Sequence, residues 1–546
     1  MKRLALLSTL LVLFSCVEKK QPADMVVYGK IWTGNQSQPY VEAMAIRGDT
    51  IVAVGSHEDI ELFEGPSTQK IDAPEGQLIV PGFIDTHTHF VEGGFRLSQV
   101  QLRDAKTPKE FIQRIKQYAT TLPEGAWILG GDWDHENWGG ELPDRNWIDS
   151  ISAKNPVWVT RLDGHMSLAN TAALKAAGIT DKVKDVDGGT VVRNKGRITG
   201  VFKDNATVYI EKAIPPAPAE FEDRALEAAM NYVASKGVTS AHNMFGNMDV
   251  FRRARDQKKM KTRIYAGMQL AEWKQLDSLI KKEGRGDSWL RIGNLKAFVD
   301  GSLGSHTAAF HKPFTDAPKD SGFYITPPQE LYAMIKAADS AGFQLMIHAI
   351  GDRAIGTLLN IFAQVEDENG VKDRRFRIEH AQHIAPADIP RFSELGIIAS
   401  MQPYHAIDDG RWADKVIGPE RSRTTYAFKS LMDAGTVVSF GSDWFVAPPT
   451  PLEGIYAAAT RRTLDDKNPE GWVPEQKITV EQALKAYTQG GAFASFEEDI
   501  KGTLSPGRLA DFVILERDIL TIDPTEIRNV KVLRTVVGGR TVFEEK

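Results

Sequence analysis

Short apolar runs open and close the chain. Met25–Tyr28, Ala43–Arg47 and Ile51–Val54 read as strands, with Gly48-Asp49 as the hairpin turn between the last two. Ala510–Leu515 and Val532–Val537 have the same character, and Gly538-Gly539 turns the chain into Thr541–Phe543. Two strand-rich ends around a mixed middle predict a small β-sandwich domain built from both chain ends, 24–78 and 501–546. The middle alternates compact apolar runs with amphipathic stretches, the pattern of strand–helix units on a parallel sheet. Eight runs fit barrel strands: Ile79–Asp85, Val238–His242, Arg263–Gly267, Leu295–Val299, Gln344–His348, Phe376–His380, Ile397–Met401 and Val437–Phe440. Helical stretches such as Glu330–Ala341 and Pro386–Glu394 lie between most of them. Residues 79–500 are therefore expected to form an α/β fold, a TIM (β/α)8 barrel. The first two runs are too far apart for one crossover, which places an insertion at about 91–230 after the first barrel strand.

The first residues follow a different pattern. Lys2 and Arg3 precede an apolar stretch from Leu4 to Phe14, too short to span a bilayer and shaped like the core of a signal peptide. Leu13-Phe14-Ser15-Cys16 resembles the bacterial lipobox, with Phe14 a less usual residue at its place. The expectation is a signal peptide over 1–15, lipid on Cys16, and a polar tether over 16–23. Such a chain is an exported bacterial lipoprotein, held to a membrane by its lipid with the folded body in water. Cys16 is the only cysteine, so no intramolecular disulfide can form.

Composition narrows the function classes. With 42% hydrophobic and 25% charged residues among 546, the chain reads as globular and not as a multi-span membrane protein. The net charge of −6, or −8 without the first fifteen residues, gives no basic surface for nucleic acid. It leaves a homo-oligomer open.

The chemistry concentrates at predicted strand ends. In Pro81-Gly82-Phe83-Ile84-Asp85-Thr86-His87-Thr88-His89 the two histidines occupy positions i and i+2 of a strand, on one face and roughly 6.6 Å apart along it. They can converge on one metal ion, although an isolated His-x-His also suits a polar strand end. Lys296 lies in the fourth run, His348 ends the fifth, His380 ends the sixth and Asp443 follows the eighth. Active sites of TIM barrels lie at the C-terminal strand ends, so these residues share one rim. Lys296 could equally be an ordinary salt-bridging lysine.

Several segments resemble the amidohydrolase superfamily, and within it the family-three branch that includes N-substituted formamide deformylases. They include Gly130-Gly131-Asp132-Trp133-Asp134, Asp163-Gly164-His165, Asn170-Thr171-Ala172-Ala173-Leu174, Lys296–Ser305, Gln402-Pro403 and Gly507–Phe512. The resemblance covers nearly the whole chain after the signal segment. It implies two divalent ions, zinc first and iron, manganese or cobalt also compatible. His87 and His89 would hold one, His348 and His380 the other, with Lys296 carbamylated between them. A single-metal site with Lys296 merely hydrogen-bonding is the reduced form of this reading. Asp443 would touch the first ion and act as general base for a metal-activated hydroxide that attacks a small-molecule amide, formamide, carbamate or cyclic amide. A deaminase on the same scaffold is a further enzymatic reading.

His165 is expected either to hydrogen-bond the substrate carbonyl or to pack as a loop residue between Asp163 and Met166. Asp300 is placed either behind Lys296 or as a loop cap. Asp132, Trp133, His306, Gln402, His405 and Arg461 are the expected substrate contacts. The alternative from another class is a non-catalytic metal- or solute-binding lipoprotein on this barrel. Such a protein could lose a ligand or the base, whereas all six positions here carry competent residues.

Overall fold

The structure, a computed structural model, describes residues 20–545. Cys16 and the signal-like segment lie outside the described residues. Among the described residues no helix is long and apolar enough to cross a membrane.

Eight parallel strands form the centre: β1 Phe83–Thr88, β2 Val238–Asn243, β3 Arg263–Gln269, β4 Leu290–Phe298, β5 Gln344–Ala349, β6 Arg377–His380, β7 Ile398–Met401 and β8 Val438–Phe440. They pair in chain order from β1 to β8. Most of their residues are buried, which is why they read as apolar runs without alternation. Closure between β8 and β1 is made just past the strand ends. Asp443 N–H donates to the His87 carbonyl at 2.8 Å, and His89 N–H donates to that of Trp444 at 2.6 Å. Helices cover the outside. In Asp352–Asn369, for example, Ile355, Leu358, Leu359, Phe362 and Val365 form the buried stripe.

The first expected barrel strand proves to be two. Leu78–Pro81 pairs antiparallel with Phe512–Leu515 in the terminal sheet, and β1 starts only at Phe83. Gly82 is the joint. Its N–H donates to the Asp511 carbonyl at 2.9 Å, and a Cβ there would lie 2.2 Å from Thr239 Oγ1 on β2. The chain can pass from one sheet to the other at this point only because residue 82 has no side chain.

The terminal strands combine into one hydrogen-bonded set of eight, and residues of both chain ends share an apolar cluster. Met25–Trp32 is the reason. It pairs with Tyr40–Arg47 on one edge, and on the other first with Gln69–Asp72 and then with Leu78–Pro81. Alternate residues feed apolar clusters on its two faces, Met25, Val27 and Ile31 on one and Val26 and Tyr28 on the other.

Between β1 and β2 the insertion folds around its own core. It carries a six-stranded sheet running from Val100–Gln101 to Arg197–Asp204, and helix Ala219–Ala234 returns the chain to β2. Its Asp134, Arg161, Asp163 and His165 face the cavity above the barrel mouth.

Gly82→Ala is expected to cost about 1–3 kcal/mol of stability, the usual penalty for overpacking. Thr239→Ala should recover part of that loss. Thermal unfolding of the two single variants and the double variant checks this; additive losses would show that the two positions do not compete for space.

Candidate metal centre

Each chemically active side chain is aimed by the backbone that carries it. His87 sits near the end of β1 and His89 one residue beyond it. Thr88 between them turns the other way, its hydroxyl donating to the His242 carbonyl at 3.0 Å. On β6, Arg377 and Glu379 point into the barrel while Ile378 joins the outer apolar core. Strict alternation would send His380 outward with Ile378. Instead His380 and Ala381 adopt left-handed backbone, with φ of 70° and 44°, and the imidazole swings to the mouth. Its ring centre lies 4.8 Å from that of His87 and 4.6 Å from that of His348.

Asp443 also has left-handed backbone, with φ of 59°. Its Oδ1 lies 3.4 Å from His87 Nε2 and 3.5 Å from His89 Nε2, and its Oδ2 lies 4.0 Å from His380 Nδ1. Lys296 Nζ is 3.4 Å from His87 Nε2. The structure thus gathers His87, His89, Lys296, His348, His380 and Asp443 in one place, nearly all of them buried.

Burial sets the charge states. It drives the imidazoles of His87, His348 and His380 well below the usual histidine range and that of His89 to about 3, helped by the Lys296 charge nearby. Neutral imidazoles offer lone pairs, which is what a cation requires. Burial also brings the Lys296 ammonium down to about 8, against the pull of Glu379 and Asp443. It pushes the Asp443 carboxyl well up, against Lys296.

The donor set fits divalent cations. His87, His89 and Asp443 place three ligand atoms within 4.8 Å of one another, and His380, His405 and Asp443 do the same. His405 Nε2 is buried without a hydrogen-bond partner. His405 lines the cavity, as an expected substrate contact would, and its place beside His380 and Asp443 also suits a cation.

Gln402 is reassigned. It is fully buried, with Oε1 2.9 Å from His380 Nδ1, and it steadies that imidazole instead of facing substrate. His348 Nε2 lies 3.1 Å from the Gly301 carbonyl. Asp300 is a loop clamp. Its carboxylate accepts the N–H groups of Ala309, Ile350 and Gly351 at 2.7–3.0 Å and does not reach Lys296. His165 lines the cavity, with Nδ1 2.6 Å from Asp204 Oδ1.

Four expected substrate contacts lie off the cavity. Asp132 is committed to Arg96 and Arg103, at 3.4 and 3.8 Å. Trp133 is buried in the core of the insertion and donates its indole N–H to the Val159 carbonyl at 2.8 Å. Arg461 is fully buried, its guanidinium donating to the carbonyls of Trp472, Tyr426 and Thr425. His306 pairs with Asp316 at 2.9 Å. Aromatic and basic residues near rim loops look alike in sequence whether they face a ligand or satisfy buried carbonyls.

The cavity wall is instead made by Asp134, Arg161, Asp163, Asp408, Asp409 and Trp412. No motif marked most of these. Glu379 and Arg377 were also missed, although their period of two along β6 was visible.

The sequence model of the amidohydrolase family matches residues 69–543. Protein LONG AFTER FAR-RED 3 of Arabidopsis thaliana is 39% identical over 538 residues, covering 95% of this chain and 92% of its own. The N-substituted formamide deformylase of Arthrobacter pascens is 26% identical, over 95% of this chain and 98% of its own. Among solved structures, an uncharacterized metal-dependent hydrolase from Pyrococcus horikoshii superposes with a TM-score of 0.74 at 28% identity, covering 92% of this chain and 99% of that one.

Asp409 gives the cavity a pH signature. Burial raises its carboxyl from 3.8 to about 7, although the Tyr426 hydroxyl donates to it at 2.6 Å. The unfolded chain releases this proton near pH 4 and the folded chain only near 7. Its stabilising contribution is therefore full below about pH 4 and is lost as pH rises towards 7. Asp409→Asn should remove that loss, so the variant gains melting temperature relative to wild type between pH 4 and 7. A constant difference across this range would contradict the assignment.

Proposed function

The chain belongs to the amidohydrolase family and is a metal-dependent hydrolase; from that premise we propose that it cleaves a non-peptide C–N bond of a small molecule, a formamide, amide, carbamate or cyclic amide. The observation that carries this reading is the convergence of His87, His89, Lys296, His348, His380 and Asp443 at one barrel mouth. A formamide deformylase among the relatives supports the bond type.

His87 and His89 would hold one cation, and His348 and His380, with His405 beside them, the other. When bound, these ions supply a water activated at neutral pH and a polarised scissile carbonyl. Asp443, set between the imidazoles and ionised once cations stand beside it, would accept the proton of the attacking water and return it to the leaving nitrogen. Burial alone would lower the His165 imidazole, but Asp204 raises it above the ordinary value. His165 is then an N–H donor for the carbonyl oxygen as negative charge develops there. Burial likewise brings Lys296 close enough to neutrality for its amine to take up CO2 as a carbamate, with release of a proton.

The outer wall shapes substrate choice. Asp134, Asp163 and Asp408 outnumber Arg161 and the Arg411 that pairs with Asp408, so an anionic tail is repelled and a neutral or cationic one admitted. Zinc-loaded protein should hydrolyse N-formylpropylamine and N-formyl-1,3-diaminopropane faster than N-formyl-β-alanine. Asp443→Asn should lower kcat by about 10²–10⁴-fold with its melting temperature retained. Undiminished turnover in that variant removes Asp443 as the base. Zinc binding with no hydrolysis by wild type across formamides, amides, carbamates and cyclic amides points to a metal-binding protein instead.

The Lys2–Cys16 segment supports a second proposal, that the chain is an exported lipoprotein held to a membrane through lipid on Cys16. Cys16→Ser should abolish incorporation of labelled palmitate and release the protein from the membrane fraction. Label retained in the variant would refute the anchor.

A further inference from the structure

Behind the imidazoles the barrel interior holds charges that the proposed chemistry does not use. Arg377 and Glu379 are both fully buried on β6. Arg377 is fixed on several sides. It donates to the Thr86 carbonyl at 2.5 Å and to Ser400 Oγ at 2.8 Å, and its other terminal nitrogen lies 2.9 Å from His242 Nδ1. Towards Glu379, one Arg377 N–H donates to Oε2 at 3.1 Å. Arg377 Nε stands 2.7 Å from Oε1 as a charge contact, not an aligned hydrogen bond. Glu379 Oε2 also lies 2.5 Å from His87 Nδ1.

Both oxygens of Glu379 thus face positive or proton-bearing groups. A carboxylate can accept on both sides, so the proton of the short contact resides on His87 Nδ1. That leaves His87 Nε2 with its lone pair, on the side where Asp443 Oδ1 and Lys296 Nζ each lie 3.4 Å away. We propose that Glu379, anchored by Arg377, is a positioning residue that fixes the tautomer of His87 and so presents Nε2 as a metal-binding atom. This rests on His87 being a ligand, as in the function proposed above. A carboxylate behind a ligating histidine both orients the ring and raises its basicity as a donor.

An amide of the same shape at residue 379 cannot meet both neighbours as the carboxylate does. Glutamine has one accepting end. Turned towards His87, its NH2 would need Nδ1 as acceptor, which moves the ring proton to Nε2 and blocks the lone pair. That NH2 would also face the Arg377 N–H that donates to Oε2, whereas an NH2 at the place of Oε1 would face Arg377 Nε. In either arrangement a donor meets a donor of Arg377, so the amide holds the Nδ1 proton less firmly than the carboxylate does.

The test begins with the metal-free wild-type protein. Nitrogen-15 NMR of labelled histidines, with His87→Gln identifying the signal, should show His87 protonated on Nδ1. A proton on Nε2 overturns the proposal whatever any variant does. Glu379→Gln should shift part of the His87 population to the Nε2 proton and weaken zinc binding about 10–100-fold in chelator competition. Glu379→Asp, which keeps two accepting oxygens on a shorter stem, should retain the Nδ1 proton and bind zinc with intermediate affinity. A purely structural residue would lower the melting temperature of the glutamine variant without changing tautomer or zinc affinity, and that result also overturns the proposal. Wild type that shows the Nδ1 proton yet binds no zinc would sink the functional reading and leave the role of Glu379 in setting the tautomer intact.

Discussion

Taking ionisable groups out of water is the cost around which this molecule is organised. Four imidazoles, an ammonium and a carboxylate share the barrel mouth, almost all of them buried. Without counter-charge, such a group gives up its ionised form. Each histidine there is held neutral, Asp443 retains its proton more readily than an ordinary aspartate, and Lys296 loses its own more readily than an ordinary lysine. A site built this way has lone pairs to offer and little charge of its own, which suits the binding of cations. The same pressure acts one layer deeper, where Arg377 and Glu379 face each other and the guanidinium also donates to Thr86 and Ser400.

The geometry depends on a few backbone contacts as much as on side chains. The barrel closes where Asp443 N–H meets the His87 carbonyl and where His89 N–H meets that of Trp444. The hydrogen bonds that complete the barrel therefore also fix the spacing between Asp443 and the first pair of histidines. Left-handed backbone at His380 and Asp443 lets two side chains leave the directions that strand and loop would have given them. Such conformations cost about 1–3 kcal/mol each and persist where the surroundings over-determine them. Here the surroundings are the barrel rim itself.

Over this rim the insertion does what the barrel cannot. The strand ends carry metal ligands but few groups that could recognise an organic substrate. Asp134, Arg161, Asp163 and His165 come from the six-stranded sheet of the insertion, and Asp408, Asp409 and Trp412 from the segment after β7. The candidate metal ligands and the outer cavity wall thus come from different parts of the chain. Such a division suits a family whose relatives are as differently named as a formamide deformylase and LONG AFTER FAR-RED 3.

The barrel and its ligands were legible in the sequence because both leave local signatures. Buried parallel strands are apolar runs, and a ligand at a strand end directly follows such a run, as His348 follows Leu345-Met346-Ile347. Other features depend on which distant segments meet. Gly82 joins two sheets only because Thr239 presses against it. Gln402 is a partner of His380 because β6 and β7 lie side by side. Arg461 and Trp133 face buried carbonyls instead of a ligand, which no run of neighbours reveals. Local patterning determined what could bind a metal. Only the folded chain decided which polar groups reach the cavity and which are consumed in the interior, because a buried hydrogen bond is settled by proximity in space.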